Sequence, residues 1–413
     1  MRQTWLTGRS ARRIWTPALW ILASGTLLSN SLSALGRGLV TLSLPLAARE
    51  LRRALPLWLW VIFLSCMSWH LATGILAGSS AGHLAHDLSL MLLLPAGAVL
   101  AAEQRLPGLM RLFIWFGVLE ALAVIWHAAG GTSLAALWEP GVRIWAENRP
   151  SGFLRSAPTS GQVLALILPL LVVYRVRSQR ELWGFLVAGA VMGLALILTG
   201  TRSAWVSAGI VLFVVALLRF GWKPVLPAFF IGGLLIWVLL PANLRERALT
   251  ITDTGAGWAR CRTVLRESGI ILGQQHPLFG IGPGRFKDVY VRDALPIALA
   301  GESGQRLTPE DLGDVRHHAH PHNDFIQAWA ASGWPGLGLM VLLVCGVFVV
   351  GAGNLRRFVW SGRERLQTSL AGLAVFSGAV LVGLVDQTAF DPIRGNLFWL
   401  GAGLAAGRLQ MSA

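Results

Sequence analysis

The sequence predicts an all-α, polytopic integral membrane protein with about 12 transmembrane helices. Of its 413 residues, 54% are hydrophobic and 13% are charged, whereas soluble domains carry about 25% charged residues. Runs 57–77, 182–198 and 337–350 hold no charged residue, and they lack the alternating pattern of a membrane strand. This composition excludes a soluble enzyme and a disordered chain. The net charge of +15 comes from residues scattered between apolar runs, so no nucleic acid partner is expected.

Each span needs about 20 apolar residues to cross about 30 Å of hydrocarbon. The shortest candidate, 36–48, can also form a hairpin with the run before it. The candidates divide the chain into transmembrane helices 1–9 within 1–241, a large outer loop at 242–324, and helices 10–12 within 325–413. The predicted spans are 14–33, 36–48, 55–78, 84–102, 107–129, 158–174, 182–200, 203–219, 224–241, 325–352, 366–385 and 395–410.

The placement of the basic residues predicts the orientation, because cytoplasmic loops carry an excess of Lys and Arg. With the N-terminus inside, the inner segments hold 18 Lys and Arg but only four acids, whereas the outer segments are nearly balanced. Both termini are therefore expected in the cytoplasm. The two long segments, 130–157 and 242–324, then lie outside, which is the periplasmic side if the source is a Gram-negative bacterium. Long loops in compact proteins are commonly functional.

A short polar turn at 199–203, Thr-Gly-Thr-Arg-Ser, separates two apolar runs. A cation beside hydrocarbon is costly unless it is paired or hydrated. Arg202 either extends toward the outer head groups or binds a lipid-linked phosphate. The hydroxyls, the guanidinium and the backbone N–H groups of the helix that follows favour phosphate.

The long outer loop contains an arginine-rich segment with Arg260, Arg262 and Arg266. A helix would place Arg262 and Arg266 on one face, where like charges repel unless an anion lies between them. These three residues are candidates for diphosphate binding, and the alternative is a solvated loop helix. The apolar run 270–272 would allow this helix to lie on the membrane surface. The glycine-rich segment 276–286 is interpreted as a tight structural turn, because it lacks the Gly-Lys-Ser/Thr of a nucleotide-binding loop.

The densest polar motif is Arg-His-His-Ala-His-Pro-His-Asn-Asp at 316–324, which holds four of the nine histidines. His318, His320 and His322 could bind a metal, since imidazole is a common metal ligand. The other interpretation makes one histidine a general base. His322 is the best placed, because Asn323 or Asp324 can cap the next helix and fix His322 at its N-terminus. The positive helix end would also favour the neutral imidazole.

Several other polar residues are secondary candidates for the same site. His318 is the second choice among the histidines. Basic residues of the first outer loop can add to a phosphate or sugar site, and they are Arg143, Arg149 and Arg155. Asp386 and Asp391, in the last outer loop, can orient an arginine or a histidine. Packed or interfacial roles are expected for Asp87, Glu120, His70, His83, His86 and His127.

Four motifs and their order along the chain resemble the O-antigen ligase and polymerase superfamily of bacterial envelope glycan assembly. They are the Thr-Gly-Thr-Arg-Ser turn, the arginine helix, His-Pro-Leu-Phe-Gly-Ile-Gly from 276, and His-Asn-Asp-Phe-Ile-Gln followed by Ser-Gly-Trp-Pro-Gly-Leu. The resemblance is strongest from about 155 to 340. Arg202 matches the superfamily's arginine after the turn, and Arg262 matches its loop arginine, with Arg266 as second choice. His322 matches the histidine of its His-Asn-x-x-x-Gln pattern.

The resemblance implies a GT-C-class membrane glycosyltransferase that needs no metal, cofactor or ATP. Its donor would be a glycan on undecaprenyl diphosphate. In the ligase branch, the acceptor would be a sugar hydroxyl of lipid A–core. The additional histidines at 317, 318 and 320 depart from the superfamily pattern, so the choice of base stays open among them.

Three other functions remain as alternatives. A polymerase of the same superfamily would use undecaprenyl-linked glycan as both donor and acceptor. A protein O-oligosaccharyltransferase would modify hydroxyl side chains of a protein. A transporter would need broken helices and paired ionisable groups at mid-membrane, whereas the dense polar motifs here lie outside the predicted spans.

Overall fold

A computed structural model describes residues 17–18, 21–23, 25–26, 30–102, 106–137, 149–154, 156–249, 258–305, 307–358 and 363–408. Within these residues the regular structure is helical throughout. Among the described residues, seven helical segments are long and apolar enough to cross a membrane, and one of them, Ala81–Ala101, comprises two consecutive helices. The prediction of an all-helical polytopic membrane protein is confirmed, while the count of about 12 spans and the GT-C class stay predictions.

The helices follow the predicted apolar runs closely. The first part of the chain forms α1 (Asn30–Ser43), α2 (Ala48–Ala54), α3 (Leu57–Leu76), α4 (Ala81–Met91), α5 (Leu93–Ala102) and α6 (Leu106–Ala128). The next part forms α7 (Ala157–Val173), α8 (Gln179–Leu198), α9 (Arg202–Phe220) and α10 (Trp222–Leu239). The predicted span 14–33 lies partly outside the described residues.

The outer loop and the C-terminal part are helical as well. The loop forms α11 (Ala242–Leu249), α12 (Trp258–Gln275), α13 (Phe286–Asp293), α14 (Leu295–Ala300), α15 (Glu302–Gln305) and α16 (Pro309–Val315). The C-terminal part forms α17 (Asp324–Phe358), α18 (Arg363–Gly383) and α19 (Arg394–Ala406).

The centre of the bundle is α19, in which every residue is buried. It packs closely on α18 and α5 because its glycines carry no side chain. A Cβ on Gly403 would lie 2.0 Å from the carbonyl oxygen of Leu94. By contrast, α10 leaves most of its apolar surface exposed, as expected of a helix that faces lipid.

The outer loop has a small hydrophobic core of its own. This core includes Cys261, Leu265 and Leu272 from α12 and Tyr290 from α13, all fully buried. The apolar residues that follow the arginines of α12 therefore pack inside the loop. The expectation that this helix lies on the membrane surface stays a prediction.

The glycine-rich turn joins this loop to the transmembrane bundle. Helix α17 is broken at Gly333, where φ is +67°, and the turn enters the break. The N–H of Ile281 donates to Ala330 at 2.9 Å, and the N–H of Trp334 donates to Pro277 at 2.8 Å. A Cβ on Gly333 would lie 2.3 Å from the carbonyl oxygen of Leu278. The prediction of a structural turn is confirmed.

Candidate active site

His322 is held at the start of α17 by a helix cap. The side-chain oxygen of Asn323 accepts the N–H groups of Phe325 and Ile326, both at 2.9 Å, which is N-cap geometry. Asn323 is therefore the cap, rather than Asp324. Among the described non-glycine residues, only His322 has a positive φ, +52°. Such backbone conformations cost about 1–3 kcal/mol and persist where the surroundings fix them, often at functional sites.

The buried His322 side chain forms a dyad with Asp386. Its Nδ1 lies 2.9 Å from Asp386 Oδ1, and the two side chains are 8% and 6% exposed. Burial acts to raise the pKa of Asp386, but the Arg394 guanidinium and the His322 hydrogen bond hold it well below its usual range. Asp386 is therefore ionised and accepts, so Nδ1 carries the proton. The lone pair of neutral His322 is then on Nε2.

Asp386 is itself fixed by two residues that the sequence analysis did not select. Its Oδ2 accepts Gln162 Nε2 at 2.9 Å and Arg394 Nη1 at 3.1 Å. Arg394 also donates to Asp391 Oδ2 at 2.7 Å and to Gln162 Oε1. The two secondary carboxylates thus lie where they can orient a histidine and an arginine. A glutamine within the apolar run of α7 was the available signal for Gln162.

The neighbouring histidines surround His322 at short range. The ring centres of His320 and His318 lie 4.3 and 5.3 Å from that of His322. Burial, followed by the charge of His322, lowers the pKa of His318 to about 4 and that of His320 well below its usual range. Burial also lowers the pKa of His322, against the raising effect of Asp386. Burial therefore favours the neutral, basic form of His322. His317 is exposed.

The structure changes the set of residues that could bind a metal, which the sequence analysis predicted as His318, His320 and His322. The described residues bring His320, His322 and Asp386 together, with one candidate ligand atom of each within 4.8 Å of the others. His318 is not part of this group. In the structure, His322 Nδ1 and Asp386 Oδ1 are hydrogen-bonded to each other, which accounts for their proximity without an ion.

Arginines collect around the turn that precedes α9. Gly200 has φ +60°, and a Cβ there would lie 3.5 Å from both Arg149 Cδ and Arg247 Nε. Arg149 donates to the carbonyl of Gly200 at 3.4 Å. Burial, followed by the charges of Arg247, Arg262 and Arg202, lowers the pKa of Arg149 to about 10. We call Arg149, Arg202, Arg247, Arg262 and Arg266 the arginine cluster.

Helix α12 connects this cluster to the dyad. Arg262 lowers the pKa values of both Arg149 and His322 by charge repulsion, after burial. Arg266 donates to the carbonyl of Val385 at 3.3 Å, next to Asp386. Gln162 completes the link, because its Nε2 contacts both Asp386 and Ser203 Oγ, the latter at 3.2 Å. The turn before α9, α12 and the dyad therefore form one site.

Other predicted site residues lie elsewhere. Arg260 forms an ion pair with Asp311 at 3.1 Å, so its charge is used within the outer loop. Arg143 and Arg155 lie outside the described residues. Arg247 joins the cluster although the sequence analysis did not single it out, since nothing in its local pattern separates it from other loop arginines.

Two chemical capabilities meet in this arrangement. Cations grouped near a helix N-terminus bind phosphate oxygens and stabilise negative charge that develops on them. A neutral imidazole oriented by an ionised carboxylate accepts a proton at its unprotonated ring nitrogen. A site with both can ionise a hydroxyl while a phosphate leaving group departs.

Residues 187–341 match the family model described as O-antigen ligase. The match confirms the predicted resemblance. The matched segment contains Arg202, Arg262, Arg266 and His322, whereas Gln162 and Asp386 lie outside it. One solved chain, from a structure entitled "Structural coordination of polymerization and crosslinking by a peptidoglycan synthase complex", is 18% identical with a TM-score of 0.42, covering 85% of this chain and 97% of that chain. A comparison with curated proteins found no match.

Proposed function

We propose that this protein is an O-antigen ligase. It transfers a glycan from undecaprenyl diphosphate to a sugar hydroxyl of lipid A–core, on the periplasmic face of the inner membrane. The observation that carries the proposal is the His322–Asp386 dyad next to the arginine cluster. The O-antigen ligase match over 187–341 supports it.

The arginine cluster serves the donor. A diphosphate is already a good leaving group, and its departure places negative charge on the phosphate oxygens. Arg202 and Arg262 stabilise that charge by charge-assisted hydrogen bonds, with Arg149, Arg247 and Arg266 adding to the positive field. Binding the anion also relieves the repulsion among these cations, which are grouped in a partly buried place. No nucleotide is required for this chemistry.

The dyad serves the acceptor. His322 Nε2 takes the proton of the attacking hydroxyl as its oxygen bonds to the anomeric carbon of the donor sugar. The bond between that carbon and the diphosphate oxygen breaks, and undecaprenyl diphosphate leaves with the electron pair. A single displacement of this kind inverts the configuration of the anomeric carbon. Asp386 keeps the proton on Nδ1 and stabilises the imidazolium that forms.

The same site supports a metal-independent reaction. In this proposal, arginines rather than a divalent ion neutralise the charge of the diphosphate. His322 Nδ1 is already hydrogen-bonded to Asp386. We expect purified protein to be active in EDTA without added nucleotide. Loss of activity in EDTA, with recovery on adding zinc, would instead favour His320, His322 and Asp386 as metal ligands.

The proposal is tested with purified protein, undecaprenyl-linked glycan and lipid A–core. Wild-type protein should form ligated glycan, and His322→Ala should lose about 10²–10⁴-fold in turnover with donor affinity nearly unchanged. His317→Ala is the matched control, because His317 is exposed, and it should retain activity. Elongation of the lipid-linked glycan in place of transfer to lipid A–core would favour a polymerase and contradict the ligase.

The orientation has its own test. Gly301 is exposed in the outer loop, and we place it on the periplasmic side with both termini in the cytoplasm. Gly301→Cys should react with a membrane-impermeant thiol reagent added to intact spheroplasts. Labelling that appears only after permeabilisation would contradict this topology.

A further inference from the structure

A groove lies between α6 and α8, at the end of the bundle away from the candidate active site. Arg111, near the start of α6, pairs with Glu181 in the first turn of α8 at 3.1 Å, so the two helix starts lie side by side. The 20 residues of α8 separate this end from the turn before α9 by about 30 Å. The proposed function assigns no role to the groove.

The wall of the groove is apolar along most of its length. It contains Ile114, Trp115 and Val118 from α6, and Gly184, Phe185 and Ala188 from α8. In each helix these positions are three and four residues apart, so they share one face. The groove holds about 350 Å³ of open space, within the range of about 300–1,000 Å³ that is typical of small-molecule sites.

The end of the groove beside the helix starts is polar, and Arg111 is oriented there by its neighbours. Its Nη2 donates to Glu181 Oε1 at 3.1 Å, and its Nε donates to the hydroxyl of Tyr174. The guanidinium lies 5.3 Å from the centre of the Tyr174 ring. Because 47% of the Arg111 side chain is still exposed, a molecule in the groove can contact it.

This polar end carries a surplus of positive charge. Arg111, Arg180 and Glu181 line it, and the connection that leads into α8 adds Arg175 and Arg177. Four arginines against one glutamate leave a net charge of +3. The Glu181 carboxylate also accepts the N–H of Arg177 at 2.7 Å, so both of its oxygens already have donors. An anion is therefore favoured here, and arginine suits phosphate oxygens in particular.

Two exposed tryptophans indicate the depth of the polar end in the membrane. Trp115 lies one turn after Arg111 and is 67% exposed, and Trp183 lies two residues after Glu181 and is 60% exposed. Tryptophan is enriched where the head groups meet the hydrocarbon. The arginines then lie at head-group level and the apolar wall extends into the hydrocarbon, which is the arrangement of polar and apolar parts in a phospholipid.

We propose that this groove binds an anionic phospholipid, in the leaflet opposite the candidate active site. Its phosphate contacts Arg111 and Arg180, and one acyl chain lies between α6 and α8 over Gly184. A Cβ on Gly184 would meet no atom within 4 Å, so the glycine leaves that space to the chain. The site is separate from the arginine cluster, which lies at the other end of α8, and it is independent of the proposed reaction.

Native mass spectrometry of the purified full-length protein tests this site. The probes are phosphatidylglycerol and phosphatidylcholine with the same acyl chains, and the first should bind at least tenfold more tightly. Gly184→Leu should weaken phosphatidylglycerol binding at least tenfold, because its side chain fills the groove. Gly193→Leu is the matched control: it is the same change on the same helix, with open space at its Cβ position but outside the groove, and it should bind as wild type does.

A second variant keeps the proposal testable if Gly184→Leu does not fold. Arg180 is exposed, and Arg180→Gln should reduce the preference for phosphatidylglycerol over phosphatidylcholine. Equal affinity of the wild type for the two lipids would overturn the proposal. Unchanged phosphatidylglycerol binding in folded Gly184→Leu would also overturn it, since the lipid would then be held elsewhere, for instance by the arginine cluster. Competition by the head group alone, glycerophosphoglycerol, at equal concentration would contradict the place assigned to the acyl chain.

Discussion

Replacing Asp386 with asparagine should disable the dyad while preserving the shape of the site. Asp386 accepts four hydrogen bonds, from His322 and Gln387 on Oδ1 and from Gln162 and Arg394 on Oδ2. An asparagine has one acceptor oxygen and one donating amide group. In either orientation of the side chain, the amide NH₂ group faces hydrogen-bond donors that a carboxylate oxygen accepted in the wild type, and an NH₂ group cannot accept them.

Both orientations of the substituted side chain carry a defined penalty. If its oxygen faces His322, its amide opposes Arg394 and Gln162, and the charged hydrogen bond that is lost costs about 1.5–3 kcal/mol. If its amide faces His322, the imidazole must present its lone pair at Nδ1, so Nε2 carries the proton and cannot act as a base. We expect turnover to fall about 10²–10⁴-fold, the contribution of a positioned general base, which is about 3–5 kcal/mol at 1.36 kcal/mol per decade.

The assay measures ligation rate and donor affinity of purified protein across pH. Asp386 raises the pKa of His322, so its removal should lower that pKa further. The acidic limb of the residual activity should therefore move to lower pH. Asp391→Asn is the control, since it alters a partner of Arg394 and leaves the His322–Asp386 contact intact. A folded Asp386→Asn protein with turnover within threefold of wild type would refute the reasoning, as would an acidic limb that moves to higher pH.

Three further predictions follow from the same geometry. Arg262→Ala should cost roughly 10–150-fold in ligation rate, equivalent to about 1.5–3 kcal/mol for a lost charged hydrogen bond; Arg262→Lys should recover only part of it because it lacks the planar fork, and full activity of both variants would move the diphosphate site elsewhere. His318→Ala should reduce turnover much less than His322→Ala, and the reverse order in the same kinetic assay would show that His318 is the base. Gly333→Ala should lower the apparent Tm, because φ is +67° and the new Cβ would lie 2.3 Å from Leu278; Gly338→Ala, with open space around its Cβ position, is the control, and equal melting of the two proteins would contradict this account.

The sequence could predict the features that depend on local pattern. Apolar run length located the described membrane helices, and the spacing of Arg262 and Arg266 predicted α12. The dipeptide at 323–324 predicted a helix start after His322, although it left the capping residue open. Asp324 instead accepts the N–H groups of Thr388 and Ala389, a contact that no local rule contains.

The other parts of the candidate site depend on which segments, distant in sequence, pack together in the fold. Gln162, Arg247 and Arg394 reach the site from three separate parts of the chain. Each is an ordinary polar residue in its own sequence neighbourhood, and only the packing of α19 against α18 brings Arg394 to Asp386. The break at Gly333 was hidden inside an apolar run, because a single glycine does not reveal that another turn will enter there.

The interlocked turn and helix break have a consequence for exchanging parts between related proteins. The outer loop is attached to α17 through backbone hydrogen bonds, from Ile281 to Ala330, from Gly282 to Ala331 and from Trp334 to Pro277. These contacts set the position of α12 against α17, so Arg262 and His322 are registered to each other by main-chain geometry. A chimera that swaps the arginine-bearing loop alone would break this register. A transplant therefore has to carry residues 258–341 as one unit.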